Sequence, residues 1–156
     1  MAATLSIHQF LHDAQVPYSV LPHRPAFTAQ EEAAAAHVPG RDWAKVVVCI
    51  ADGRPVQAVV PAPLSVDLME LADLAGAESV RLATEDELGR LFPDCEAGAM
   101  PPFGPVYGQQ VFVDVHLAGE PEIVFNAGNH RDAISMRWPD FVHAVRPIVG
   151  RFAVRL

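Results

Sequence analysis

Lysine and cysteine are nearly absent from this chain, and long hydrophobic runs are missing altogether. The two cysteines, Cys49 and Cys95, are too few for a disulfide framework. Cys49 sits in an apolar run, where a thiol behaves as a small hydrophobe. Apolar stretches such as residues 46–51 are far too short to cross a bilayer. The opening Met1-Ala2-Ala3-Thr4 has no basic region and no apolar segment of signal-peptide type. There is no P-loop, no dinucleotide fingerprint and no zinc-finger spacing. Together these absences predict a soluble, cytoplasmic protein with no membrane association, no metal and no cofactor. Of the 11 basic residues 10 are arginine, and Lys45 is the single lysine. The net charge of −8 argues against a broad basic face for nucleic acid, though not against recognition of a nucleic-acid end at one local site.

What is present suits a globular domain. The chain has 156 residues, 51% hydrophobic and 19% charged. That is one domain's worth, 1–156, and a domain of this size buries roughly 70% of its unfolded surface. No repeat, low-complexity tract or linker breaks it. Apolar residues at helical spacing (Ile7, Phe10, Leu11, Ala14) predict a helix over 5–14, stopped by Pro17, with an extended piece at 18–21. Thr28 to Glu31 fits a capping box opening a helix to about His37. Residues 43–50 and 56–60 read as strands around the Asp52-Gly53 hairpin signal. Ser65 is expected to cap a helix bearing Leu68, Leu71 and Ala72, with Gly76 past its end. A strand at 79–82 and a second capping box at Thr84 to Glu87 follow, that helix ending near Phe92-Pro93. Residues 94–108 read as irregular. Strands are expected at 111–115, 122–125, 133–136 and 149–154, with a last helix opened by Pro139. Interleaved helices and hairpins predict an α/β (α+β) fold, a compact single domain with a curved mixed sheet flanked by helices.

Three places carry possible chemistry. Lys45 lies on the strand face of Trp43, Val47 and Cys49, opposite Ala44, Val46, Val48 and Ile50. Buried lysine is rare, and an ammonium there could hold a phosphate or carbonyl as a point charge. Equally, its stem could lie on the core and its head reach water. The loop from Glu96 to Gly104 combines permissive Gly98 and Gly104 with stiff Pro101 and Pro102. Its remaining N–H groups could line an anion or ester-carbonyl site, or it is a plain surface connection. Asn126-Ala-Gly128-Asn-His130 sits where a turn is due, and His130 is the histidine best placed to point into a pocket. Other signals are weaker. His8 and His12 have metal-helix spacing, but Gln9 stands where the zinc-protease pattern needs glutamate. Cys95 has no histidine adjacent in sequence to make it a nucleophile.

Taken in order, His23-x-Pro25-x-x-Thr28-Ala-x-Glu31, Ala44-Lys45-Val-Val-Val, Gly98-Ala99-Met100-Pro101-Pro102-Phe103-Gly104 and Asn126-Ala-Gly128-Asn-His130 resemble the YbaK/prolyl-tRNA synthetase-associated editing domain family. The resemblance runs from about residue 5 to 152. It implies a free-standing trans-editing hydrolase, a deacylase that cleaves the ester joining a wrong amino acid to the 3′-terminal adenosine of a tRNA, mostly tRNA(Pro). By the same resemblance Lys45 and Gly98 are the catalytic candidates. Thr28, Ala99, Met100, Pro101, Pro102, Phe103, Gly104, Asn126, Gly128 and His130 would bind substrate, without a metal. Lys45 would hold the terminal phosphate or ribose, N–H groups from Gly98 onward would polarise the ester, and His130 would shape the amino-acid pocket. The removed residue is alanine, cysteine, serine or threonine. The partner is a mischarged tRNA 3′ end, gripped by a few arginines such as Arg131 and Arg137 or delivered by a synthetase or elongation factor. Two rival readings are a non-catalytic module for nucleotides or charged tRNA ends, and an esterase for small acyl compounds.

Overall fold

The computed structural model describes residues 3–96 and 98–155. Met1, Ala2, Ala97 and Leu156 lie outside the described residues, and with them part of the N-terminal reading, one loop position and both ends of the 1–156 domain. In chain order the elements are α1 (Ala3–Asp13), β1 (Ser19–Pro22), α2 (Ala29–Ala35), a 3-10 turn (Gly40–Asp42), β2 (Ala44–Ala51), β3 (Arg54–Pro61), β4 (Ser65–Val66), α3 (Leu68–Ala75), β5 (Val80–Leu82) and α4 (Glu85–Leu91). They continue with α5 (Gly104–Tyr107), β6 (Gln110–Asp114), α6 (Val115–Ala118), β7 (Glu122–Asn126), β8 (Asp132–Arg137), α7 (Trp138–Val145), β9 (Ile148–Gly150) and β10 (Ala153–Val154).

The β-branched runs of β2 and β3 form the centre of a five-stranded sheet, ordered β5-β2-β3-β6-β9. Their hairpin turns on Asp52 (φ 48°) and Gly53 (φ 82°), the two positive φ angles that a tight primed turn requires. The sheet is mixed: β2 pairs antiparallel with β3 and β5, while β6 runs parallel to β3 and to β9. A second, three-stranded sheet runs β1-β8-β7, and a parallel bridge from Trp43 to Val124 joins it to the start of β2. Alternation sends Cys49, Ala51, Val56, Ala58, Val60 and Phe112 toward Leu71 of α3 and Phe152. It sends Val59, Val111 and Val113 to the opposite core with Ile7, Leu11, Phe125 and Phe141. There Phe103, Phe125 and Phe141 pack edge-on or tilted, with centroids 5.2 to 6.1 Å apart. Each fully buried side chain of this size contributes about 1.5–3 kcal/mol.

Several local expectations are corrected. Ser65 does not cap α3, because its backbone is committed to a ladder with β10; Asp67 caps instead, accepting from the N–H groups of Met69 and Glu70 at 3.0 and 3.2 Å. Within 94–108 the chain makes one helical turn, α5, with proline in its first turn and left-handed Gly108 after it. The expected strand 149–154 is two, broken where the Phe152 ring enters the core and its N–H bonds to Asp114. α2 stops at Ala35, and His37 takes a left-handed φ of 59°. Among the described residues no helix is long and apolar enough to cross a membrane.

Candidate functional site

The site begins as a gap in strand pairing. On its outer side β2 meets β5 only from Cys49 to Ala51, and Trp43 meets Val124. Between them the edge of β2 is open, and a cleft of about 770 Å³ fills the opening. Lys45, Val46, Val47 and Val48 line its floor, and Phe27 to Glu31, at the start of α2, line one side. Leu82, Ala83, Leu88, Gly98 and Met100 line the other, with Asn126 and Ala62 completing the lining.

Lys45 and Glu31 are the charged side chains on this lining. The Lys45 ammonium is half-buried and donates to the Leu64 carbonyl at 2.7 Å. No carboxylate among the described residues pairs with it. Burial holds its pKa below the ordinary lysine value. The residue lies on the β2 face of Val47 and Cys49, as alternation requires, and its ammonium is turned to the Leu64 carbonyl.

The Gly98 loop reaches this cleft from the far side of the sequence. Gly98 has φ +80°, a left-handed conformation that glycine accepts freely. Gln57, buried in mid-strand, donates to the Pro101 carbonyl at 3.3 Å and so ties the loop to β3. The N–H groups open to an ester carbonyl are fewer than the sequence implies. Ala99 N–H is spent on the Glu96 carbonyl, Phe103 N–H on that of Pro101, and the two prolines have none. Those of Gly98 and Met100 make no hydrogen bond among the described residues.

The predicted residues divide. Thr28, Lys45, Gly98, Met100 and Asn126 line the cleft. His130 stands behind Gly98, its Cε1 3.7 Å from where a side chain there would begin, and its ring centroid is 5.5 Å from that of Phe27. Ala99, Pro101 and Pro102 are buried and not on the cleft lining. Phe103 belongs to the aromatic core, and Gly104 is needed for packing, since a Cβ there would meet the Gln109 carbonyl oxygen at 2.1 Å. Gly128, at φ +97°, gives its carbonyl to the Glu96 N–H.

Sequence reasoning missed Glu32, Gln57 and Phe27. Glu32 is buried and bonded to both His130 and Asn126. Its signal was available, for it shares a helix face with Ala29, Ala33 and Ala36. Phe27 is 77% exposed beside the cleft, an aromatic face open to a base. It lies in a loop where no periodicity could flag it. The Cys95 thiol contacts the Tyr107 hydroxyl at 3.3 Å, and burial raises its pKa to about 11, which disfavours the thiolate a nucleophile needs. His8 is hydrogen-bonded to the Tyr18 hydroxyl at 2.7 Å.

A family model described as the aminoacyl-tRNA editing domain matches residues 23–144. A proline–tRNA ligase of Nitratidesulfovibrio vulgaris is 31% identical over 100 residues, covering 64% of this chain and 17% of the ligase. The chain thus spans about a sixth of the length of the curated relative it matches. Among solved structures, hypothetical protein APE2540 superposes with a TM-score of 0.85 at 19% identity, over 96% of this chain and 99% of that one. A candidate trans-editing enzyme for prolyl-tRNA synthetase gives 0.81 at 20% identity, over 99% and 98% of the two chains. At such identities these two likenesses speak for the fold.

Proposed function

The chain belongs to the aminoacyl-tRNA editing domain family, and from that premise we propose that it is a trans-acting deacylase, hydrolysing the ester between a mischarged amino acid and the 3′-terminal adenosine of a tRNA. The observation that carries this reading is half-buried Lys45, without a carboxylate partner among the described residues, on the lining of a cleft it shares with Gly98 and Asn126. An aminoacyl ester is already activated, so its hydrolysis needs positioning and charge stabilisation more than a strong nucleophile. Lys45 takes the terminal phosphate or ribose as a point charge. Phe27 offers its exposed face to the adenine. The Gly98 and Met100 N–H groups face the developing oxyanion, and a positioned water attacks the carbonyl carbon. The carbonyl π pair moves onto oxygen; on collapse it returns, the bond from the acyl carbon to the ribose oxygen breaks, and the proton given up by the attacking water passes to that ribose oxygen. The half-buried Cys95 thiol has no part in this. The substrate class is a tRNA(Pro) carrying alanine, cysteine, serine or threonine. A pocket sorts such small side chains by only about 1–3 kcal/mol per methylene. Those partners enter with the tRNA 3′ end, delivered by a synthetase or an elongation factor.

The test is single-turnover incubation with a panel of mischarged tRNAs. Release of a small amino acid, at a rate that falls when Lys45 is replaced, supports the reading. Tight binding of charged ends without hydrolysis would make the chain a binding module. Hydrolysis of simple acyl esters but of no aminoacyl-tRNA would make it an esterase.

A further inference from the structure

α2 bears two adjacent acids, and water reaches only one of them freely. Glu31 is exposed, whereas Glu32 is 2% exposed, on the face where Ala29, Ala33 and Ala36 pack against Trp43 and Val124. A buried carboxylate is costly unless its oxygens are satisfied. No lysine or arginine among the described residues pairs with Glu32. Its Oε1 bonds to Nδ1 of His130, and its Oε2 accepts from Nδ2 of Asn126. Both partners come from the β7–β8 hairpin, and Asn126 lines the cleft. His130 is held from its backbone side as well: its N–H donates to Glu96 Oε1 at 3.1 Å, and its carbonyl accepts from Ala26 N–H at 3.3 Å. An apolar side chain of similar size would stabilise this helix face at least as well. What the carboxylate adds is direction, since an ionised acceptor admits only a protonated Nδ1 and only the amino edge of the asparagine amide.

We propose that Glu32 is a positioning residue of the cleft, whose carboxylate keeps Nδ1 of His130 protonated and fixes the amide of Asn126, and so sets the wall against which the substrate's amino-acid moiety is sorted. The inference rests on the deacylase reading, but part of its test does not. In the free wild-type protein, nitrogen NMR of labelled histidine should show Nδ1 of His130 carrying a proton. E32Q keeps a carbonyl oxygen for that proton, and its amide nitrogen meets Asn126 once the asparagine amide turns over. It should retain the Nδ1 signal and most of the activity. E32A removes both acceptors. Its kcat should fall on the order of tenfold or more, the loss of one hydrogen bond to a charged group. KM should move less, and the discrimination between small and bulkier aminoacyl esters should narrow. An unprotonated Nδ1 in the wild type overturns the proposal, as does an E32A protein that keeps both the Nδ1 signal and the selectivity. If E32A does not fold, the wild-type spectrum and E32Q decide. A wild-type protein that cleaves no aminoacyl-tRNA sinks the deacylase reading, while the spectra still judge Glu32.

Discussion

Replacing Lys45 by methionine keeps a stem of similar length and removes the charge together with the hydrogen bond to the Leu64 carbonyl. The ammonium makes one hydrogen bond, to Leu64, and burial lowers its pKa. The sign of the stability effect follows. The folded value lies below the unfolded one, so between the two the unfolded chain holds more protons. Wild-type stability therefore rises with pH through that window, up to the unfolded value near about 10.4. At neutral pH the desolvated charge is a cost to the fold. Lys45→Met should melt at the wild-type temperature or above it near pH 7, and its melting temperature should rise less steeply at alkaline pH. Activity should go the other way. A hydrogen bond to a charged group is worth about 1.5–3 kcal/mol. At about 1.36 kcal/mol per decade, deacylation should fall roughly ten- to a hundredfold or more. Lys45→Ala should lose as much, and Lys45→Arg should recover only part, because a planar fork does not replace a compact ammonium. The assay pairs melting curves with single-turnover deacylation of the best mischarged tRNA. A methionine variant with wild-type rates, or one whose activity falls only in step with its stability, refutes the reasoning.

Three further outcomes can be checked. Gly98→Val should cut deacylation more than stability: there is room for a Cβ 3.7 Å from His130, but φ +80° is hostile to a β-branched residue, and Gly98→Asn should be milder on both counts. Cys95 should resist iodoacetamide in the native protein. Its pKa is raised from 9.0 to about 11, so at pH 8 thiolate is about a hundredfold scarcer than in the unfolded chain; equal labelling rates in native and denaturant-unfolded protein would contradict this. Asp114→Ala should destabilise by about 3–5 kcal/mol in denaturant titration. Its carboxylate accepts from the N–H groups of Phe152, Ala153 and His116. Burial pushes its pKa up, but these bonds prevail and hold it below the ordinary value. The stability it contributes is therefore present above the unfolded pKa and lost as pH falls through the folded one, an acid limb that the alanine variant should lack.

The parts legible in the sequence are those written in local code. Strand alternation placed Lys45 on the Val47 and Cys49 face, Asp52-Gly53 marked the hairpin, and Thr84 to Glu87 forms its capping box. Four-residue helices such as α5 and α6 carry too little periodicity to be read. The split between β9 and β10 depends on Asp114, which lies 38 residues before Phe152. Convergence is the deeper difficulty. That Gly98 and Lys45 share one cleft follows from the β2–β5 pairing ending at Cys49 and from Gln57 holding the Pro101 carbonyl, and neither has a local signature. The resemblance supplied the list of residues but not their sorting: Phe103 and Gly104 stand in the same motif as Met100 yet serve the core.

The acidity of the chain bears on how such a cleft meets tRNA. A protein that tracks a nucleic-acid backbone needs a stripe of unspent cations. Here Arg81 is bound to Glu87 by two hydrogen bonds, Arg41 stands 3.9 Å from Asp42, and Arg137 lies opposite Glu122 across the β7–β8 ladder. Arg131 is exposed and follows His130 in the chain, but Arg137 is six residues further along, roughly 20 Å at ~3.3 Å per strand residue. They do not form one grip. On the proposed function, Lys45 meets a phosphate near the ester, and Arg131 is a second candidate. Each phosphate contact on a single strand contributes roughly 0.7 to the slope of log affinity against log salt. The dependence should then be shallow, with a slope of roughly one to two. Recognition of this kind is centred on the 3′ end, where the wrong amino acid is attached. A net charge of −8 gives the body of a tRNA no general attraction to this chain, which leaves the grip to local contacts at that end.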